Sequence, residues 1–551
     1  MKVNRTVRFL PLLIFIGLII GVLIGTFFTS RFVGNKLNII NASTNKLNEM
    51  LYIVNTNYVD TVNISELVED AIPKLLEDLD PHCAYIKAED VARANEDLKG
   101  SFSGVGVQFT LKNDTIHITN VIKGGPSEKV GLLPGDRIVS IDGEEFVGKI
   151  VTNSETMKRL KGEKGTTVVV GVVRSGEKEI VEYSIERGDI PLKSVDATYM
   201  LNESLGYVKI NKIGETTYNE LLIALAQLQE QGFGGLVVDL RGNGGGYLGA
   251  AINIVNEFLP ANNLIVYTEG RAVRREDYVS DGRGSYQKLP LIILTDESTA
   301  SAAEIISGAV QDNDRAIIIG RRTFGKGLVQ QQIQFDDGSM LHLTVSRYYT
   351  PSGRCIQKPY SKGGNDEYNM DIVSRFEHGE FFNEDSIRPT GEKYTTSIGR
   401  TVYGGGGIIP DYFVAEDTTD ITPYYSEVVT KGLILQFCYD YTDKHRSVLK
   451  DLSTANELEY YMRKNNVLEQ FIRFADDKGV KRRNNMIKKS RSLFEQAIYG
   501  SIIYYMLEMD DYVEYINRFD PVVKKAIELY EAGKTFPQIQ DTTNIALVQV
   551  I

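Results

Sequence analysis

Tryptophan is absent from this chain, cysteine occurs three times and histidine five times in 551 residues. The cysteines, Cys83, Cys355 and Cys438, lie far apart and lack metal-ligand spacing, so they suggest neither a zinc site nor a disulfide framework. One pair could still join in an oxidising compartment. Basic residues are also in short supply: 61 Lys and Arg against 73 Asp and Glu leave a net charge of −12. With no basic, aromatic-rich patch, a nucleic-acid partner is excluded. What is present in quantity is apolar: 42% hydrophobic against 24% charged residues excludes a disordered or fibrous chain and allows several packed domains.

One apolar run stands out at the amino terminus. Phe9 to Phe28 carries no charge over 20 positions, and Lys2, Arg5, Arg8 and Arg31 flank it. That length crosses a bilayer. A cleaved signal peptide would have a shorter apolar region and a small-x-small site, which does not follow here. The expectation is an uncleaved signal anchor over 9–29, with 1–8 in the cytoplasm. The remainder would then lie on the periplasmic side of a bacterial inner membrane.

The chemistry-bearing stretch runs from Asp296 to Gln330. Leu291 to Thr295 reads as a buried strand, and Ala302, Ala303, Ile305, Ile306, Ala309 and Val310 give the following helix an apolar face. Ser301 is placed in the first turn of that helix, with Ser298 as its cap. Free N–H groups and the helix dipole there favour a developing negative charge. A second strand, Ala316 to Gly320, leads to Phe324-Gly325-Lys326-Gly327, a lysine between two residues that let backbone approach closely. A serine needs a base to lose its proton, and a lysine can serve if burial lowers its pKa from about 10.4. Ser301 and Lys326 could form such a dyad, with the Gln330 amide oxygen holding the lysine. A helix cap and an ordinary Gly-Lys-Gly loop are the plain alternatives. Of the histidines (His82, His117, His342, His378 and His445), only His342 is near in sequence. It sits in a strand-like segment and is read as structural, so a Ser-His-Asp triad is not favoured.

Thr299-Ala300-Ser301-Ala302-Ala303-Glu304 and Phe324-Gly325-Lys326-Gly327-Leu328-Val329-Gln330 resemble the signature of the carboxyl-terminal processing peptidases, or tail-specific proteases. The resemblance implies Ser301 as nucleophile, Lys326 as general base and Gln330 as its orienter, on a crotonase-like α/β core. Asp239-Leu240-Arg241-Gly242-Asn243-Gly244-Gly245-Gly246 follows a strand and opens a helix. It lacks the lysine and hydroxyl of a phosphate loop. The resemblance makes Gly244 or Gly245, with Ala302, the oxyanion hole, and leaves Asp239 and Arg241 structural.

Gly124-Gly125-Pro126-Ser127 and Val130 to Gly143 resemble a PDZ domain of bacterial type. Such a domain adds an extended peptide to a sheet edge and caps its terminal carboxylate with loop N–H groups, here those of Val105, Gly106 and Val107. A helix near Thr152 to Leu160 would line the groove. The expected layout is a multidomain α/β protein: helical N-terminal region 30–99, β-rich PDZ domain 100–188, protease core 189–416 and helical C-terminal domain 417–551. Within the core, about Lys358 to Lys393 reads as a polar surface insertion. Two functions follow: a membrane-anchored endopeptidase cutting proteins with apolar C-termini, or an idle PDZ scaffold binding such tails. Homo-oligomerisation and an adaptor are left open.

Overall fold

The computed structural model describes residues 46–538 apart from 113, 175, 176, 178, 362 and 390. The apolar run over 9–29 lies outside the described residues. Among the described residues no helix is long and apolar enough to cross a membrane. The described residues divide into two compact units, with the division between Asp78 and Leu79. In the first, helix α1 covers 46–57 and α2 covers Ile64–Glu77. Asn63 caps α2 by accepting from the Glu66 N–H, and Pro73 lies within α2 without dividing it.

The second unit opens with a short strand, β1 (Ala84–Ile86), inside an otherwise largely helical region, before α3 (Ala88–Lys99). β1 is recruited by tertiary pairing, Tyr85 opposite Leu341 on a distant strand. β2 (Ser101–Gly104) leads into a small antiparallel sheet. Its members are β3 (Val107–Lys112), β4 (Thr115–Val121), β5 (Arg137–Ile141), β6 (Glu144–Glu145), β7 (Thr167–Val173) and β8 (Val181–Glu186). Two helices, α4 (Pro126–Val130) and α5 (Asn153–Leu160), flank it. β3 pairs only with β4, so it is an edge strand. Val105 is buried, and Gly106 (φ 79°) sits where a Cβ would lie 2.9 Å from Ile190 Cδ1 and 3.4 Å from Pro126 Cδ. β9 (Gly188–Pro191) returns beside β2 and closes the domain.

The core sheet begins with β10 (Val195–Met200), antiparallel to β11 (Leu205–Ile210). From there every pairing is parallel: β12 (Gly235–Asp239), β15 (Leu291–Thr295), β16 (Ile317–Gly320) and β21 (Tyr412–Phe413) follow in that order. Strands covered on both faces read as unbroken apolar runs, and every residue of β12, β15 and β16 is buried. On one face Val238, Ile293 and Ile318 pack on α6 (Thr217–Glu230), α7 (Leu248–Asn256) and α8 (Ala302–Asp312). On the other, Val237, Ile292 and Ile319 pack on Val522, Val523 and Leu529 from the far end of the chain.

A second sheet is antiparallel, in the order β1, β18 (Met340–Tyr349), β13 (Leu264–Glu269), β14 (Glu276–Val279), with β17 (Leu328–Gln334) also paired to β18. The polar insertion is more than a surface excursion. It contains α9 (Asn365–Glu377), whose Tyr368 is buried, before the hairpin β19 (Lys393–Thr395) and β20 (Thr401–Tyr403). Seven further helices run from α10 (Pro423–Thr430) to α16 (Met509–Asn517). Among them α11 (Leu433–Leu449) and α15 (Arg491–Met506) form the centre of a separate apolar core. Tyr439 and Asp440 of α11 bond His117 and Lys112 of the small β-domain. The last helix, α17 (Pro521–Glu531), leaves this bundle and covers the core sheet instead.

Candidate active site

β15 ends at Thr295, and the chain turns sharply through Asp296 to Ala300. Ser301 is the N-cap of α8, not a first-turn residue, with φ 55° and ψ −119°. That conformation is costly for a residue with a Cβ, and it presents the serine at the mouth of the turn. Ser298 is not the cap; its N–H donates to Asp296 Oδ1 at 3.0 Å within the turn.

Hydrogen bonds sew this turn to the glycine loop after β12. Ala300 N–H donates to the Asn243 carbonyl at 2.9 Å, Gly242 N–H to Asp296 at 3.0 Å, and Thr299 Oγ1 to the Leu240 carbonyl at 3.0 Å. The approach at Gly245 (φ 96°) is close enough that a Cβ there would lie 2.7 Å from Ser301 Cβ and 2.8 Å from Ala302 N. The Gly245 N–H is already donated to Asn243 Oδ1 at 2.8 Å. Of the two glycines singled out, Gly244 is therefore the one whose N–H is free among the described residues. Asp239 and Arg241 are paired with each other, and Arg241 reaches Asp520 beside α17, as befits structural residues.

A buried carboxylate joins the serine turn to the lysine loop. Glu304 accepts from the N–H groups of Ser301 (2.8 Å), Gly325 (2.7 Å) and Lys326 (2.9 Å) and from Thr323 Oγ1. Burial pushes its carboxyl up to about 7, against the pull of these four donors. Tyr348 closes the same link from β18, its hydroxyl 2.7 Å from the Lys326 carbonyl and 3.1 Å from that of Ser301. Neither residue was assigned a role from sequence. Glu304 carried a signal, since Ser-x-x-Glu at a helix start is a capping-box pattern; Tyr348 carried none.

Lys326 Nζ donates to Gln330 Oε1 at 3.3 Å, one β-bulge into β17. Burial lowers the lysine below its ordinary value, while Glu304 and Asp80 oppose that shift. The Gln330 amide is itself held, because its Nε2 donates to the His82 carbonyl. Burial, helped by the charge of Lys326 and opposed by Asp80, brings the His82 ring down to about 4, so it is neutral. His342 is closer to the site than its strand-like setting suggested: it lines the cleft, with Nε2 buried and without a partner among the described residues.

Gly244, Gly245, Ser301, Ala302, Lys326 and Gln330 all line one open cleft of 710 Å³. Val105, Gly106 and Val107 stand apart from it, at the start of β3 in the small β-domain. Cys83, Cys355 and Cys438 are free, and no cluster able to hold a metal occurs among the described residues.

Residues 204–363 match peptidase family S41 and residues 103–185 match the PDZ domain. Residues 424–508 match a family of unknown function. A probable CtpA-like serine protease of Staphylococcus aureus (strain MRSA252) is 32% identical over 364 residues, 65% of this chain and 72% of that protein. The carboxy-terminal processing protease CtpB of Bacillus subtilis (strain 168) is 32% identical over 316 residues. That match takes in 57% of this chain and 65% of CtpB, slightly under two thirds of its length. Among solved structures, the photosystem II D1 C-terminal processing protease is 26% identical, with 66% of this chain and 91% of that one covered and a TM-score of 0.33. The chain belongs to the S41 peptidases, in the branch that carries a PDZ domain.

Proposed function

We propose that this protein is a membrane-anchored serine endopeptidase that captures substrates by apolar C-terminal tails and hydrolyses them with a Ser301–Lys326 dyad. The observation that carries this is the cleft shared by Ser301 and Lys326, with the buried Glu304 carboxylate tying the serine turn to the lysine loop beneath it. Neutral Lys326 takes the Ser301 proton as Oγ attacks the scissile carbonyl, then returns it to the leaving amine. Gln330 holds the amine. The N–H groups of Gly244 and Ala302 receive the oxyanion. The core is of crotonase-like type, and no cofactor or metal enters the reaction.

The tail adds as a further strand to the free edge of β3. Its carboxylate meets the N–H groups of Val105, Gly106 and Val107, with α5 along the groove. The anchor is the run over 9–29, which puts the catalytic unit on the periplasmic side of a bacterial inner membrane. A homo-oligomer or an adaptor is compatible with this arrangement.

A second reading, an idle scaffold that binds tails, has one observation in its favour: Lys326 Nζ is bonded to Gln330, not to Ser301. Catalytic hydrogen bonds are often misaligned in an apo enzyme and tighten only with substrate bound, so this geometry is compatible with the protease. The deciding experiment compares the full chain with its Ser301→Ala form on an unfolded protein ending in an apolar tail. Cleavage by the first alone supports the protease; tail binding by both without cleavage supports the scaffold. Resistance of the chain to alkaline extraction from membranes, lost on deleting 1–30, tests the anchor.

A further inference from the structure

The polar insertion after Lys358 has no role in the mechanism above, yet it places a buried tyrosine beside the lysine loop. Tyr368, on α9, is 3% exposed. Its hydroxyl is 2.8 Å from His82 Nε2 and accepts from Gln357 Nε2 at 3.3 Å. Each partner leads to the loop by a different path. His82 offers its carbonyl to Gln330 Nε2, and Gln330 offers Oε1 to Lys326 Nζ. Gln357 Oε1 accepts from the Gly327 N–H at 2.8 Å. The ring adds a third link: it meets Phe324 edge-on at 5.8 Å between centroids, and Lys358 Nζ lies 4.1 Å from its centre. Residues 324, 326 and 327 are thus all braced by one side chain from the insertion.

The Gln330 amide has an orientation problem that this brace resolves. Either end of an amide can face an amine, but only the oxygen accepts from an ammonium. With the His82 carbonyl fixed against Nε2, the oxygen must face Lys326.

We propose that Tyr368 is a positioning residue for the general base: through His82 it fixes the Gln330 amide so that its oxygen faces Lys326. The proposal rests on the Ser301–Lys326 reading and gives the insertion a function in the same site. Releasing the amide removes an acceptor from the ammonium form, so the lysine should give up its proton at lower pH. The cost falls on kcat, because substrate contacts are unchanged.

The test is Tyr368→Phe in the full chain, which keeps the ring, its packing and its contact with Lys358 but removes the hydroxyl. The expected result is kcat lower by roughly five- to tenfold with KM within about twofold. The acid limb of the pH profile should move to lower pH. The same loss should be absent when Tyr368→Phe is made in a Gln330→Ala background, since both then act through one group. Lys326 is also titrated directly, by the pH dependence of its labelling with fluorodinitrobenzene read by peptide mass spectrometry. An unchanged Lys326 midpoint in Tyr368→Phe, or a full additional loss in the Gln330→Ala background, overturns the proposal. Because labelling reads the lysine whether or not the chain cleaves, a wild type that cuts nothing counts against the protease reading alone.

Discussion

Asp312 and Arg354 supply the most demanding test of how the site is held. Asp312 is the last residue of α8, where the negative end of the helix dipole makes another carboxylate unwelcome. It is accommodated because Arg354 donates to it at 2.7 Å, with the side chains 0% and 1% exposed. Ser352 Oγ (2.6 Å) and Thr350 Oγ1 also bond it. This knot ties the end of the serine-bearing helix to the turn after β18, two residues beyond Tyr348. Asp312→Ala leaves the guanidinium buried with only Gln311 Oε1 and the Tyr403 carbonyl as partners. Removing one member of a buried pair typically costs about 3–5 kcal/mol, a large share of the ~5–15 kcal/mol that holds a domain together. Replacing both, as Asp312→Leu with Arg354→Met, is expected to recover most of that, since two apolar groups leave no stranded charge. Urea unfolding followed by circular dichroism measures both. Cleavage at a temperature where Asp312→Ala stays folded should also fall, as the Tyr348 hydroxyl leaves the Ser301 and Lys326 carbonyls. A loss under about 1 kcal/mol for Asp312→Ala, or a double variant no better than the single, would refute the reasoning.

Ser301→Gly relieves the positive φ that Ser301→Ala retains, so both should be inactive while the glycine variant unfolds about 1 kcal/mol harder in thermal melts. Gly245→Ala drives a Cβ to 2.7 Å from the Ala300 carbonyl oxygen and from Ser301 Cβ. Cleavage should be lost, with stability lowered by more than about 1 kcal/mol; a fully active variant would show that the loop does not approach the serine so closely. Cleavage should rise with pH along the titration of Lys326, with a midpoint below the ordinary lysine value because burial disfavours the ammonium. Lys326→Arg, which keeps the charge and cannot give it up, should be flat and inactive across the same range.

Much of this was legible in one dimension. The parallel strands are buried on both faces, so they had to appear as apolar runs, and β15 and β16 could be placed within a residue or so. Glycines mark positions where the backbone needs positive φ or close approach. The loops at Gly106 and Gly245 therefore show in the residue order alone. Family membership was legible for the same reason: the residue types around Ser301, Lys326 and the PDZ motif are each demanded by local geometry.

What stayed hidden depends on partners far apart in sequence. β1 has too short and ordinary a sequence to declare itself a strand, and becomes one by pairing with β18. Ser301 looked like a first-turn residue because sequence periodicity does not resolve where a strained turn ends and a helix begins. His342 lines the cleft only because β18 pairs antiparallel with β17, which sets it opposite Gln332. The insertion read as a surface excursion since nothing in its polar composition foretells that Tyr368 will meet His82, 286 positions away. Residue order was enough to set the domain types and the chemical groups available. Which of those groups share a cleft was settled by the folded chain, because burial, amide orientation and the bridging roles of Glu304 and Tyr348 arise when distant segments close on one another.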